Sequence, residues 1–219
     1  MGVLAEVPLF ADLDESDIGR LTEELRSRRY RKGETIFITG DPGSSLCVIK
    51  SGRVKLALSS AEGREVILDI LGPGDVFGEL ALFDGEPRSA DAVAVEPTHL
   101  LLLERDAFLG VIRERPEVAI TLMSVLGRRL RRDAQIVQDA AFLDVPARVA
   151  RAILRLAETD GEGARRTPPL TQTDLAAVAG TTRETLNKWL GFFAEQEFIR
   201  MEQSRITILN EDGLRRRIY

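Results

Sequence analysis

The chain has 219 residues and a formal net charge of −5, with 44% apolar and 30% charged residues. That length suits two compact domains and a connector, and no apolar run approaches the roughly 18 residues of a membrane span. A single cysteine, Cys47, excludes an intrachain disulfide and leaves too few thiolates for a zinc or iron–sulfur site.

Met1 to Phe10 lacks the basic start and long apolar core of a secretory signal, so a cytoplasmic protein with no membrane partner is the simplest reading. The acidity is uneven: residues 1–111 carry a net −8, residues 112–144 a net +1 and residues 145–219 a net +2. Any surface for a polyanionic partner would have to be sought in the last third, where a net +2 is a weak footprint and the placement of a few charges matters more than bulk potential.

In chain order, residues 14–26 read as an amphipathic helix, capped by Asp14 with Ile18, Leu21 and Leu25 on one stripe. From about Arg28 to Glu104 the pattern changes to short apolar runs separated by glycines. The runs are Thr35–Thr39, Leu46–Lys50, Val54–Leu58, Val66–Leu71, Ala92–Val95 and His99–Leu103, which predict an antiparallel sandwich, barrel or roll. Between the fourth and fifth runs lies Phe77-Gly78-Glu79-Leu80, followed at a distance by Pro87-Arg88-Ser89-Ala90. Gly78 lets a ligand approach the backbone, and the Glu79 carboxylate can accept two hydroxyl hydrogen bonds. Arg88 with Ser89 makes a site for one phosphate. On residue types alone, Glu79 and Arg88 could equally be a surface ion pair.

Asp106 to Glu114 predicts a short helix, and Pro116 opens a long one to about Phe142. Within it Met123, Leu126, Leu130, Asp133, Val137 and Ala140 follow the spacing 3, 4, 3, 4, 3, a heptad seam suited to a parallel homodimer. The competing reading packs that stripe on the β domain of its own chain. Asp133 is the anomaly, since a symmetric seam brings two carboxylates together; pairing with a neighbouring arginine is its simpler role.

After Asp144-Val145-Pro146, which suits a hinge, Arg148 to Glu158 reads as a helix. Thr159–Pro169 reads as an exposed polar loop open to a protein partner. Leu170 to Phe193 then predicts a helix-turn-helix. Thr171 caps the first helix with Asp174 three residues on, Gly180 makes the turn and Thr182 caps the second helix. Leu186, Leu190 and Phe193 fall on the buried side, which leaves Arg183, Glu184 and Lys188 exposed. Arginine can grip guanine and glutamate can accept from cytosine, although a solvated helix face would have the same composition. Phe198–Met201 and Arg205–Leu209, divided by Glu202-Gln203-Ser204, suggest a two-stranded wing.

In order and spacing, Gly78-Glu79-Leu80 with Arg88-Ser89-Ala90 resembles the phosphate-binding cassette of cyclic-nucleotide-binding domains, and Thr182-Arg183-Glu184-Thr185 resembles the recognition helix of the same regulators. Nearly the whole chain resembles the cyclic-AMP receptor protein and fumarate-nitrate regulator family of bacterial transcription factors. The resemblance implies an α+β architecture: an N-terminal jelly-roll-like β-roll over residues 1–112, a dimerisation helix and hinge over 113–144, and a winged helix-turn-helix over 145–219. It also implies contacts to a cyclic nucleotide from Gly78, Glu79, Leu80, Arg88, Ser89 and Ala90. Glu79 would start a short helical turn whose amides help hold phosphate. Leu56 and Leu71 would wall the base, and Arg129 and Asp133 would close the pocket. Thr171, Thr182, Arg183, Glu184 and Lys188 would face a pseudo-palindromic operator. RNA polymerase is the implied further partner, and the protein is not expected to be an enzyme.

The chain departs from the family pattern in three places. Asp133 and Ala134 stand where a threonine and a serine commonly meet the adenine amine, Asp69 stands where a serine is usual near the base, and Lys188 replaces a commoner arginine. The two aspartates would suit guanine, whereas Arg88-Ser89-Ala90 is the form usual in cyclic-AMP-binding bacterial members. Cyclic AMP is therefore the expected ligand and cyclic GMP the lesser alternative. A constitutive DNA binder with a relic pocket is the competing function; an enzyme subunit or channel module lacks the attached domain it would need. His99, the only histidine, and Cys47 sit in apolar strands and read as structural, so no metal, haem or iron–sulfur cofactor is expected.

Overall fold

The computed structural model describes residues 4, 7–11, 13–161, 163–202 and 204–218. By their contacts the residues divide into two units, Met1–Arg64 with Leu68–Arg132, and Glu65–Ile67 with Asp133–Tyr219. The first unit is the β-roll with its flanking helices. Helix α1 (Glu15–Glu23) starts where the Asp14 carboxylate accepts from the Asp17 amide at 2.9 Å, and it buries Ile18 and Leu21.

Leu25, expected on the helix stripe, instead opens strand β1 (Leu25–Tyr30), where it pairs with Leu103. The strand reads Leu-Arg-Ser-Arg-Arg-Tyr and is exposed over its middle four residues. Arginines that protect a sheet edge show no apolar alternation, which is why the sequence hides it. The remaining strands are β2 (Thr35–Phe37), β3 (Ser45–Ser51), β4 (Val54–Ser59), β5 (Glu65–Leu71), β6 (Val76–Phe77), β7 (Asp91–Ala94) and β8 (Thr98–Glu104), with the short helix α2 (Leu80–Asp84) between β6 and β7. Strand β6, absent from the expected runs, is only two residues long and is fixed by pairing with Cys47 and Val48.

Two four-stranded sheets result, ordered β1-β8-β3-β6 and β2-β7-β4-β5. The period of two along β3 and β8 divides their side chains between two cores. Leu46, Val48, Leu101 and Leu103 pack with Ile18, Leu21, Phe108, Val118 and Leu122 on the helix side. Cys47, Ile49 and Leu100 pack with Val54, Leu71, Phe77, Ala92 and Ala94 between the sheets. Helix α3 (Arg105–Glu114) leads into α4 (Pro116–Phe142), 27 residues long. Along α4, Val118 and Leu122 are buried, whereas Met123, Leu130 and Val137 are 61%, 71% and 70% exposed in the single chain. Of the apolar seam positions, Leu126 packs partly on the helix-side core of its own chain, and the three exposed ones do not.

The second unit starts with α5 (Val145–Leu156), capped by Asp144 through the Ala147 amide at 3.0 Å. The expected open loop at 159–169 is corrected. Strands β9 (Glu158–Thr159) and β10 (Arg165–Arg166) form a hairpin that extends the wing, and Thr167 is buried with its hydroxyl accepting from Ile206 N at 3.0 Å. Helices α6 (Gln172–Val178) and α7 (Arg183–Glu195) are the helix-turn-helix, followed by β11 (Ile199–Glu202), β12 (Arg205–Ile208) and a short α8 (Glu211–Arg215) that was not expected. The sheet order is β11-β12-β10-β9. Gln203, expected in the wing turn, lies outside the described residues. Among the described residues no helix is long and apolar enough to cross a membrane.

Candidate ligand site and nucleic-acid interface

The segment after β6 is shaped by close packing around one arginine. Gly78 has φ +79°, and a Cβ there would collide with Arg88 Nη1; a Cβ on Gly43 would collide with Ala81 and crowd Arg88 Nε at 3.1 Å. Only glycine leaves room at both positions and adopts the left-handed backbone of the first. The Arg88 guanidinium therefore lies buried, 6% exposed, donating to Gly78 O at 2.6 Å and Ser45 O at 2.9 Å while stacking 4.4 Å from the Phe37 ring centroid. Its Nε has no hydrogen-bond partner among the described residues.

Glu79 is the second buried charge, 3% exposed. Its Oε1 accepts from Arg129 Nη1 at 2.9 Å, and Arg129 Nη2 donates to Val76 O. Its Oε2 is buried without a partner among the described residues. An ionised group out of water is strongly disfavoured unless its lone pairs and protons are met, so each of these two charges retains one polar atom suited to a further partner. Leu80 and Ser89 are exposed beside them and Ala90 is half-buried.

Leu71 is buried in the core between the sheets, with Leu56 packed against it. Asp69 lies on β5 on the same side as Leu71, by the alternation of a strand. Its Oδ1 accepts from Ile70 N at 2.8 Å and its Oδ2 from Arg132 Nη1. Arg132 was not among the expected site residues; its position one turn beyond Arg129 is the signal that could have found it. A cleft of about 170 Å³ opens here, lined by Asp69, Leu71, Val76, Arg128, Arg129 and Arg132 among others. Asp133 is exposed on α4 and belongs to the second unit.

His99 is half-buried with Nε2 2.5 Å from Ser27 Oγ; burial first, then Lys50 and Arg29, hold its pKa below the ordinary value. Burial pushes the Cys47 thiol up to about 12, which leaves it inert. No cluster of three metal-ligating side chains occurs among the described residues.

In the second unit, Thr171 and Asp174 form a reciprocal capping box, with Asp174 N donating to Thr171 Oγ1 at 3.0 Å and Thr171 N donating to Asp174 Oδ2 at 3.4 Å. Gly180 takes φ +60° in the turn, and Arg148 holds the turn's carbonyls by donating to Ala179 O at 3.1 Å and Gly180 O at 3.2 Å. Thr182 Oγ1 accepts from Thr185 N at 3.2 Å and starts α7, which buries Leu186, Leu190 and Phe193. Arg183, Glu184, Asn187 and Lys188 form its exposed face. Gln172 Oε1 accepts from Arg183 Nε at 3.2 Å and from Asn187 Nδ2 at 3.1 Å, which ties that face to α6. Neither Gln172 nor Asn187 was expected, although Asn187 follows Arg183 by four residues and so shares its face.

Residues 27–115 match the model of the cyclic nucleotide-binding domain, and residues 147–217 that of the Crp-like helix-turn-helix domain. Together with the fold, these define a DNA-binding transcriptional regulator carrying a cyclic-nucleotide-binding domain; such regulators are not enzymes. The chain is 39% identical over 219 residues to a CRP-like cAMP-activated global transcriptional regulator of Mycobacterium tuberculosis, covering 98% of each chain. It is 39% identical over 204 residues to the cyclic AMP receptor protein of Thermus thermophilus, covering 92% of each. The chain belongs to the cyclic-AMP receptor protein and fumarate-nitrate regulator family. Its fold also matches the c-di-GMP responsive global regulator CLP of Xanthomonas campestris, with a TM-score of 0.76 at 21% identity over 89% of this chain and 99% of that one.

Proposed function

We propose that this protein is a homodimeric, sequence-specific DNA-binding regulator gated by cyclic AMP. The observation that supports the ligand most directly is the pair of buried polar atoms without partners, Glu79 Oε2 and Arg88 Nε. A ribose 2′-hydroxyl would donate to the first. The cyclic phosphate would accept from the second, with Ser89 and backbone at Gly78, Leu80 and Ala90 completing its shell. Leu56 and Leu71 would flank the base, next to Asp69 and Arg129. The names of the similar regulators favour cyclic AMP.

Exposure of Met123, Leu130 and Val137 at heptad spacing supports a parallel dimer about α4. In that dimer the two Asp133 carboxylates repel without ligand and are relieved when base donors arrive. This gives the nucleotide its differential affinity for one dimer geometry. Two copies of α7 would then stand about one DNA turn apart on a pseudo-palindromic operator, read by Arg183, Glu184 and Lys188, with Thr171 and Thr182 at the helix starts. RNA polymerase is the expected partner at the promoter and the cytoplasm the expected compartment.

A second reading, a constitutive regulator with a relic pocket, is favoured by Arg129, which already holds one oxygen of Glu79. Titrating operator DNA with the full-length protein, alone and with cyclic AMP or cyclic GMP, separates the readings. Cyclic AMP should tighten binding; affinity unchanged by either nucleotide supports the relic. Tightening by cyclic GMP alone would instead identify the guanine-gated alternative. Leu130→Glu should yield monomers by sedimentation, and Asp133→Thr should alter nucleotide preference.

A further inference from the structure

Two arginines one turn apart on α4 hold two carboxylates of the roll. Arg129 Nη1 donates to Glu79 Oε1 at 2.9 Å, and Arg132 Nη1 donates to Asp69 Oδ2. Three residues advance a helix by about 4.5 Å, comparable to the step from a ribose to the base it carries. Asp69, Leu71, Arg129 and Arg132 line one cleft, so with Glu79 on the ribose and Arg129 between them the Asp69–Arg132 pair would stand toward the base. The inference below therefore rests on the cyclic-nucleotide reading of the cassette.

A carboxylate at that position would by itself suit guanine, because N1–H and N2–H are parallel donors that match two carboxylate oxygens. Adenine offers one amino group flanked by ring acceptors. Here, however, both oxygens are engaged: Oδ1 by Ile70 N at 2.8 Å and Oδ2 by Arg132. Asp69 is also the more enclosed partner, 16% exposed against 40% for Arg132. A two-pronged approach to Asp69 is thus obstructed by a guanidinium. The remaining N–H groups of that guanidinium repel guanine's N1–H and N2–H but can donate to adenine ring nitrogens.

We propose that Arg132 is a nucleobase-selecting residue, which masks a guanine-reading carboxylate on β5 and thereby sets the pocket for adenine. The presence of Asp69 is then compatible with cyclic AMP as ligand, because the feature that would favour guanine is neutralised from α4. A purely structural role, tying α4 to β5, would make loss of Arg132 weaken both nucleotides alike, so the ratio of affinities separates the two roles.

The test is calorimetry on full-length wild type, Arg132→Gln, Asp69→Asn and the double variant, each titrated with cyclic AMP and cyclic GMP, with circular dichroism as a check of folding. Wild type should prefer cyclic AMP. Arg132→Gln should shift the ratio toward cyclic GMP by about tenfold or more, as expected for one exposed bidentate base contact, and through a gain in cyclic GMP affinity. Adding Asp69→Asn should return the ratio toward wild type, and Asp69→Asn alone should leave cyclic AMP preferred. Should Arg132→Gln fail to fold, Arg132→Lys should shift the ratio the same way by less, since ammonium makes a point contact rather than a planar screen. The proposal is overturned if Arg132→Gln weakens both nucleotides equally, if it weakens cyclic GMP alone, or if the double variant keeps the ratio of the single one. A wild type that prefers cyclic GMP also overturns it. Wild type that binds neither nucleotide overturns the cassette reading itself, and this inference with it.

Discussion

The polar side chains around the roll's candidate ligand site are enclosed and partnered across long chain distances, whereas those of the helix-turn-helix are exposed and partnered mostly within a few residues. Glu79 meets Arg129, Asp69 meets Arg132, and Arg88 meets the carbonyl of Ser45. Within the helix-turn-helix Thr171 meets Asp174 and Thr182 meets Thr185, while the Gln172 bridge and the Arg148 clamp reach further. The difference follows from what each region has to recognise. A small anion has few atoms, so selectivity must come from desolvated groups for which an unmet hydrogen bond is disfavoured by about 1–3 kcal/mol. A DNA groove is large and wet, and it is read by side chains that stand free on a helix held rigid from behind.

This contrast can be broken most sharply at Arg88. Arg88→Ala removes the proposed charge-assisted contact to phosphate and leaves the carbonyls of Gly78 and Ser45 without the guanidinium, so cyclic AMP affinity should fall by about 100-fold or more by calorimetry. Wild-type affinity would place the phosphate elsewhere. Gly78→Ala should destabilise the first unit by on the order of 3 kcal/mol in urea titrations, because the left-handed backbone and the collision with Arg88 act together. A midpoint unchanged from wild type would mean the cradle relaxes freely.

On the DNA side the expected effects are smaller and purely local. Arg183→Ala should cost about 1–3 kcal/mol of discrimination at one base pair while nucleotide affinity stays as in wild type. Equal weakening on operator and random DNA would assign Arg183 to the phosphate backbone instead. Thr182→Ala removes the cap of α7 and should lower stability by about 1 kcal/mol. A loss of nucleotide affinity in this variant would contradict the separation drawn between the two regions.

The same contrast explains what could be read in advance. The caps Asp14, Thr171 and Thr182, the buried stripe Leu186, Leu190 and Phe193, and the length of α4 are all encoded over one or two turns, and they were legible; the Asp144 cap was not, since Asp144-Val145-Pro146 reads as a hinge and α5 starts three residues earlier than expected. Six strands were legible because apolar alternation and glycine punctuation are local too. Strand β1 was not, since its arginines serve a sheet edge, and β6 was not, since two residues carry no period. The 159–169 segment looked like a polar loop because the burial of Thr167 depends on pairing with β12, some forty residues away in sequence.

What the sequence by itself determined is the order of the elements, the two families of domain they build, and the motif residues at Gly78, Glu79, Arg88 and Thr182 to Thr185. Those features depend on spacing along one helix, strand or turn, where neighbours in sequence are neighbours in space. Only the tertiary structure decided which charges are buried, which atoms of Glu79 and Arg88 remain unmet, and that Arg132 covers Asp69. The contacts behind them, Arg88 with Ser45, Glu79 with Arg129 and Asp69 with Arg132, join residues 43 to 63 positions apart, and no local rule of backbone geometry brings such residues together; the packing of α4 and the strands on the roll does.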